Sequence, residues 1–204
     1  MDSMFIDKEI KRLEKKVKDY KEKLNNTEKE LEKYKELQTI TPERFYLACK
    51  RHEIEVIQTY IEQGGDVNYI PKDSIDHPVF QVQPFYLDII DMLLNAGADI
   101  KDKTDHFGDS LLHVIIPNIT SKNKSIVNKI LKQVDVNVEN SNKQTPLFWA
   151  ETKYQAELLV KKGADINRVE IKNRSVLTCA ILGGRWEIAN YLISLGAKLI
   201  VPQK

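Results

Sequence analysis

The chain has 204 residues, with 31 Lys and Arg against 30 Asp and Glu, and its formal net charge is +1. This size suits one elongated domain with an extension, and the balanced charge argues against a nucleic-acid-binding protein, which needs a net basic excess. No apolar run reaches about 18 residues and the amino-terminal residues lack an apolar signal core, so we expect no membrane or secretory segment and a cytoplasmic protein.

The residues from Ile6 to Gln38 are predicted to form one long coiled-coil helix. Seam residues follow a 4-3-4-3 spacing that no Gly or Pro interrupts, which is the pattern of a coiled-coil seam. At about 1.5 Å per residue this helix would be about 50 Å long. One seam position holds Ile10, Val17, Leu24 and Leu31, and the other holds Leu13, Tyr20, Thr27 and Tyr34.

Flanking charges leave the partner of this helix open. A parallel homodimer would set two like-charged and two oppositely charged pairs beside the seam, so charge does not favour it. Three alternatives follow: self-association, which the unbroken seam favours, a different coiled-coil partner, or an intramolecular cap on the first repeat. The four pairs are Glu9–Glu14, Lys16–Lys21, Lys23–Glu28 and Glu30–Lys35.

A new element is predicted just after the coil, because Thr41-Pro42-Glu43 combines a capping hydroxyl, a proline and an acid as at a helix start. Beyond it, a five-residue phrase recurs with steps of 33, 36, 30 and 33 residues, a period typical of stacked repeats. An apolar stripe at helical spacing precedes each copy and needs a neighbouring unit to bury it. The copies are Gly64–Asn68, Gly97–Lys101, the eroded Val134–Asn137, Gly163–Asn167 and Gly196–Ile200.

Two further segments complete the pattern. Thr145–Phe148 reads T-P-L-F and Ser110–His113 reads S-L-L-H, so the chain from about residue 41 to 201 resembles the ankyrin-repeat family. The resemblance implies an all-α solenoid and a histidine, His113, that hydrogen-bonds neighbouring backbone. We expect a coiled-coil helix at 1–40 and a repeat domain at 41–204, with about five divergent helix-turn-helix repeats at 41–70, 71–103, 104–138, 139–168 and 169–201.

The repeats depart from the family pattern at several points. Pro78 and Pro84 fall where the first helix of repeat two should run, so that helix is expected to be short, distorted or replaced by a loop. Polar residues 118–123 lengthen repeat three, and repeat four has lost about a turn. Repeat five keeps apolar residues in its helices, including Val176, so its open end is expected to be an interface, or else to be shielded by Lys198–Lys204.

Catalytic and cofactor chemistry are not expected. The four histidines lie in different repeats without metal-ligand spacing, so no metal, no cofactor and no enzymatic activity are predicted. Cys49 and Cys179 are interpreted as reduced, packed thiols. Trp149 and Trp186 lie in predicted helices, and we expect packing residues there rather than platforms for stacking.

The resemblance therefore implies a non-enzymatic scaffold that binds a protein partner, of unknown identity, through its hairpin tips and concave inner helices. An adaptor or inhibitor subunit of an enzyme complex, or a pathogen or viral effector acting in a host cell, are the alternatives. Phe107 is the strongest candidate anchor. An aromatic residue at an exposed tip can be removed without structural loss, and its side chain is available to contact a partner. The candidate contact residues are His106, Phe107 and Asp109 in repeat three, Ser141, Asn142, Gln144, Thr152 and Lys153 in repeat four, and Ile171, Lys172 and Arg174 in repeat five.

Overall fold

A computed structural model describes the backbone of residues 3–202 and the side chains of residues 12–31 and 39–202. By its internal contacts the chain divides into two units, Met1–Ile40 and Thr41–Lys204. Within the described residues the regular structure is helical, and the extended pairing consists of two isolated bridges, Thr104–Ser110 and Val169–Ser175. The all-α fold class is confirmed.

The first unit is a single helix, α1, that runs from Ser3 to Gln38. It ends one residue before Thr39, as predicted. Its hydroxyl-bearing seam residue, Thr27, donates to the carbonyl oxygen of Lys23 at 2.9 Å, so the hydroxyl is satisfied within the helix. The seam side chains of Ile10 and Tyr34 lie outside the described residues. Those that are described are each more than half exposed: Leu13, Val17, Tyr20, Leu24 and Leu31.

The second unit consists of helix pairs joined by hairpins. The first helix of each pair is named here the inner helix and the second the outer helix. A 3₁₀ turn at Ile116–Asn118 continues the first helix of repeat three, and one at Pro146–Trp149 replaces the first helix of repeat four. In chain order the α-helices are α2 (Pro42–Arg51), α3 (Ile54–Glu62), α4 (Pro78–Gln81), α5 (Leu87–Asn95), α6 (Leu111–Ile115), α7 (Ser125–Ile130), α8 (Lys153–Lys161), α9 (Val176–Leu182) and α10 (Trp186–Ser194).

Polar caps start the first helices. The Thr41 hydroxyl accepts a hydrogen bond from the Arg44 N–H at 3.2 Å, which confirms the predicted start of α2. A histidine caps α4, because Nδ1 of His77 accepts a hydrogen bond from the Val79 N–H at 3.3 Å. His77-Pro78 is therefore the counterpart of the Thr-Pro start of repeats one and four, an equivalence that the sequence pattern alone did not reveal.

The irregular repeats follow from their sequences. The first helix of repeat two has only 4 residues, from Pro78 to Gln81, as the prolines predicted. The long loop of repeat three is held by repeat four, because the Gln155 amide donates to the carbonyls of Pro117 at 2.9 Å and Ile119 at 3.1 Å. Repeat four has a 3₁₀ turn in place of its first helix, which accounts for its shortness.

The core is built from the facing sides of the helix pairs. It includes Phe45, which stacks on Tyr60 with ring centroids 4.3 Å apart. Cys49 is buried, and burial raises the pKa of its thiol to about 12. Cys179 is half-buried, and its pKa is also raised by burial. Both thiols are free and protonated, and Cys49 is packed as predicted.

Candidate functional site

Three hairpin tips share one geometry. Each is a loop of five residues closed by a hydrogen bond from the N–H of its first residue to the carbonyl of its fifth, at 2.9 to 3.0 Å. The fourth residue has a positive φ, which glycine adopts without strain at Gly108 and which Lys143 and Asn173 also adopt. The tips are Asp105–Asp109, Asn140–Gln144 and Glu170–Arg174.

The second and third residues of each tip are presented to solvent. Phe107 is 63% exposed and Ile171 is 59% exposed, although both are large and apolar. The Phe107 backbone is fixed because its N–H donates to the Asp105 carboxylate at 2.8 Å. The remaining tip residues at these positions, all exposed, are His106, Ser141, Asn142 and Lys172.

The fifth tip residues are structural. Asp109 is only 5% exposed and accepts a hydrogen bond from Asn140 at 2.7 Å, so the expectation that it lies on the surface is wrong. The reason is that the fifth residue leads directly into the first helix and turns toward the neighbouring repeat. Gln144 is half-buried, and Arg174 pairs with the buried Glu170 at 2.8 Å. The structure therefore separates these three residues from the exposed positions.

Two other candidates lie away from the tips. Thr152 caps α8 by accepting a hydrogen bond from the Gln155 N–H at 3.3 Å. Lys153 is exposed and forms an ion pair with Glu157 at 3.6 Å along the same helix. Both lie at the start of an outer helix, so the structure does not bring them together with the tip residues.

Neighbouring tips touch one another. A Cβ atom on Gly108 would lie 2.4 Å from the Ser141 hydroxyl oxygen and 3.1 Å from the Ser141 backbone nitrogen, so tips three and four are in close contact. Tips four and five are joined by a hydrogen bond from the Ile171 N–H to the Asn142 carbonyl at 2.8 Å. The exposed residues of the three tips therefore form one continuous edge.

In three repeats one side chain of the first helix donates a hydrogen bond to a backbone carbonyl of the segment that follows the repeat or closes it. Nε2 of His113 lies 2.9 Å from the carbonyl oxygen of Gln144, and Nδ1 accepts from the Ser110 N–H, so Nε2 carries the proton and donates. This confirms the backbone contact predicted for His113, and burial lowers its pKa. Tyr46 donates in the same way to the Asp76 carbonyl, and Thr178 to the Ile200 carbonyl.

The inner helices add one partly exposed side chain in each repeat. Each of these residues comes directly after the helix position that Tyr46, His113 and Thr178 occupy in their repeats. Trp149 belongs to this row at 37% exposure, and Trp186 at the start of α10 is 62% exposed. The expectation that both tryptophans are packing residues is therefore wrong for Trp186. The inner-helix row consists of Leu47, Gln81, Val114, Trp149 and Cys179.

The last repeat is partly closed by the final segment. The carbonyl of Ile200 accepts from the Ser175 N–H at 3.1 Å and from the Thr178 hydroxyl, so residues near 200 take the place that a following hairpin would occupy. Val176 is buried, so the expectation that it contributes exposed apolar surface at this end is wrong. Large apolar side chains nevertheless stay exposed there, and an interface at this end stays a prediction. They are Leu182, Trp186, Ile193, Leu195, Leu199 and Val201.

The described side chains offer little for metal chemistry. Among them, no group of three or more His, Cys, Asp or Glu residues could hold a metal ion. In the same part of the chain, no helix is both long and apolar enough to cross a membrane. The exposed side chains of the repeat unit include tip and inner-helix residues that are suited to contact with another protein.

Comparisons with known proteins agree with this geometry. Residues 112–202 match the family model for ankyrin repeats in 3 copies. The chain is also similar to an ankyrin repeat protein of fowlpox virus, at 26% identity over 160 residues that cover 72% of this chain. The chain spans 46% of the length of that relative. The match shows that the chain contains ankyrin repeats over residues 112–202, and the helix pairs that begin at Pro42 agree with that family.

Proposed function

We propose that this protein is a non-enzymatic recognition scaffold that binds a partner protein along the continuous edge formed by its hairpin tips and along the adjacent inner-helix row. The observation that carries the proposal is the exposure of Phe107 and Ile171 on tips whose backbones are held by hydrogen bonds. Large apolar residues on a rigid edge lose little conformational entropy on binding and make effective anchors. Solenoid repeats use such extended surfaces for recognition.

The division of labour within each tip supports this proposal. Its second and third side chains are free to contact a partner, whereas the fifth side chain is engaged within the repeats, as at Asp109 and Arg174. Substitution at the exposed positions changes the contact surface with little change in the fold. Such a surface can be adapted to different partners on the same scaffold.

A viral effector acting on host proteins is the form of this function that the comparisons favour. The supporting observation is the similarity to a fowlpox virus ankyrin repeat protein. In that setting the edge would bind a protein of the infected host cell, in its cytoplasm.

The proposal includes a second role, in which α1 joins two copies of the chain through its exposed seam residues.

The recognition role is tested with tip variants after affinity capture and mass spectrometry have identified a partner, with and without residues 1–40. Phe107→Ala combined with Ile171→Ala should weaken binding to the purified partner about a hundredfold, because each anchor contributes a hot-spot contact. The melting temperature should change little, since both side chains are largely exposed. Isothermal titration calorimetry measures the affinity.

Ile54→Ala is a matched control, because Ile54 is also an exposed apolar residue but lies on the outer helix α3. Binding by this control should stay near that of the unsubstituted protein. Unchanged binding by the Phe107→Ala/Ile171→Ala variant would contradict the proposal and place the partner on α1 or on the outer helices. Loss of binding by both variants would show that the loss is not specific to the tips.

A further inference from the structure

The seam of α1 is an apolar helix face without a partner among the described residues. Val17 and Leu24 lie seven residues apart on this face, and both are more than half exposed. When such residues are buried against a second helix, they provide the main stabilisation of a coiled coil. The charges beside the seam then decide which helix fits and in which direction.

We infer that α1 pairs with α1 of a second copy in antiparallel orientation, with Leu24 packed beside Thr27 of the second copy on either side of the two-fold axis. This inference rests on the proposed self-association through α1, and it adds the orientation and the register. It identifies the occupant of the seam as the same helix.

Charge complementarity supports this register. With Leu24 beside Thr27, the residues that flank the seam on one side are Lys21 and Glu28 of the second copy, and on the other side Lys23 and Glu30 of the second copy. The two-fold axis repeats each contact, so four contacts of opposite charge form between described residues. The same register sets Glu14 against Lys35, whose side chain lies outside the described residues.

A parallel pair is less favourable. It would place Lys16 beside Lys21 of the second copy, a repulsive contact that the two-fold axis repeats, and Lys23 beside Glu28. It would also set Thr27 against Thr27 and Tyr20 against Tyr20 at the same seam level. In the antiparallel pair Thr27 packs against leucine instead, and its hydroxyl is already bonded to the Lys23 carbonyl of its own helix.

The neighbouring antiparallel register is also disfavoured by charge. If Leu24 packed beside Tyr20 of the second copy, Lys21 would face Lys21 and Lys23 would face Lys23 across the axis. Glu14 would then face Glu28 twice, whereas Lys16 with Glu30 and Asp7 with Lys35 would attract. This register would overlap a longer stretch of the two seams, so seam burial does not favour the proposed register over it. The flanking charges are what favour the proposed register.

Charge-reversal variants of the full chain test the inference by sedimentation equilibrium. Lys21→Glu should weaken the dimer about tenfold, because it converts both contacts with Glu28 from attractive to repulsive. Glu28→Lys should weaken it similarly, and the double variant Lys21→Glu/Glu28→Lys should restore the original affinity. Lys18→Glu is the control, because position 18 faces away from the seam, and it should leave the affinity unchanged. Far-ultraviolet circular dichroism checks that helix content is retained.

The other outcomes overturn the inference in distinguishable ways. A dimer strengthened by Lys21→Glu would be parallel, since Lys16 would then face the carboxylate introduced at position 21. A dimer unaffected by Lys21→Glu and strengthened by Glu28→Lys would have the neighbouring antiparallel register. In both cases self-association through α1 stands. A full chain that stays monomeric, or a dimer that survives Val17→Asp/Leu24→Asp, would contradict the proposed role of α1 itself, with no bearing on recognition by the tips.

Discussion

At the scale of single residues, different side chains perform equivalent tasks in different repeats. Tyr46, His113 and Thr178 all donate to a backbone carbonyl across a hairpin. Repeat four has Phe148 at this position, which cannot donate, and the buried hydroxyl of Thr145 is left without a hydrogen-bond partner. The hydrogen bond made at this helix position is therefore a better marker of a repeat than the residue type that makes it.

The histidine that caps α4 should make stability depend on pH. Nδ1 of His77 accepts from Val79, and Nε2 lies 2.9 Å from the Asn68 side-chain oxygen, so the ring must be neutral. Burial lowers the pKa of His77 to about 4. Because the unfolded state binds a proton near pH 6.5, stability is retained above that pH and lost as the pH falls toward 4, by about 2 kcal/mol between pH 7 and pH 5.

Urea unfolding at a series of pH values measures this effect. His77→Asn keeps a capping oxygen and cannot be protonated, so its stability should depend less steeply on pH. His106→Gln is the control, because His106 is exposed at a tip and its replacement should leave the pH dependence intact. An unchanged pH dependence in His77→Asn would contradict the role given to the neutral ring; His113, also buried, accounts for the part that remains.

At the scale of elements, side-chain amides tie the end of one repeat to the end of the next. Asn137 donates to the Gly163 carbonyl at 3.0 Å and accepts from the Asp165 N–H at 2.8 Å. Repeat two ends in Lys101, which lacks an amide. The bridge between repeats two and three is instead made by Gln133 of repeat three. Its side-chain amide donates to the Ala98 carbonyl and accepts from the Ile100 N–H, both at 3.1 Å.

Removal of this bridge should weaken the join between repeats two and three. Gln133→Ala leaves one carbonyl and one N–H unpaired in a part-buried site, so we expect a loss of about 2 kcal/mol in the free energy of unfolding. Gln58→Ala is the control, because Gln58 bonds only Glu62 of its own helix, and it should cost less than about 0.5 kcal/mol. Urea titration followed by circular dichroism measures both, and equal losses would refute the bridge.

At the scale of the whole molecule, stability depends on how the last repeat is covered. In a solenoid each unit is stabilised by its neighbours, and beyond repeat five the described residues supply only the segment that ends at position 202. Here the carbonyl of Ile200 occupies the place that the Gln144 carbonyl has in repeat three. The final segment therefore acts as part of a hairpin although it contains no further helix among the described residues.

Loss of the Thr178 hydroxyl should loosen this end. Thr178→Val keeps the shape of the side chain and removes the donor to Ile200, so we expect faster amide hydrogen exchange in residues 175–182 and 186–196. Thr59→Val is the control, since the Thr59 hydroxyl bonds only the Glu55 carbonyl of its own helix. Mass spectrometry of exchanged peptides measures the effect. Identical exchange in Thr178→Val and the unsubstituted chain would show that the segment does not hold the repeat.

The sequence by itself determined the repeat period, the start of α2 and the α1 seam, because these depend on local spacing and on residues such as Pro42 that act within one turn. The tertiary structure decided which tip residues are free. Asp109 and Phe107 are two residues apart, yet one is buried against Asn140 and the other is exposed. That difference depends on contacts between residues about thirty positions apart, which no local pattern encodes. Recognition of Ile200 as a substitute hairpin needed a non-local contact of this kind, with Thr178. The His77 cap is a local bond to Val79, and the sequence pattern missed it because histidine is not among the usual capping residues.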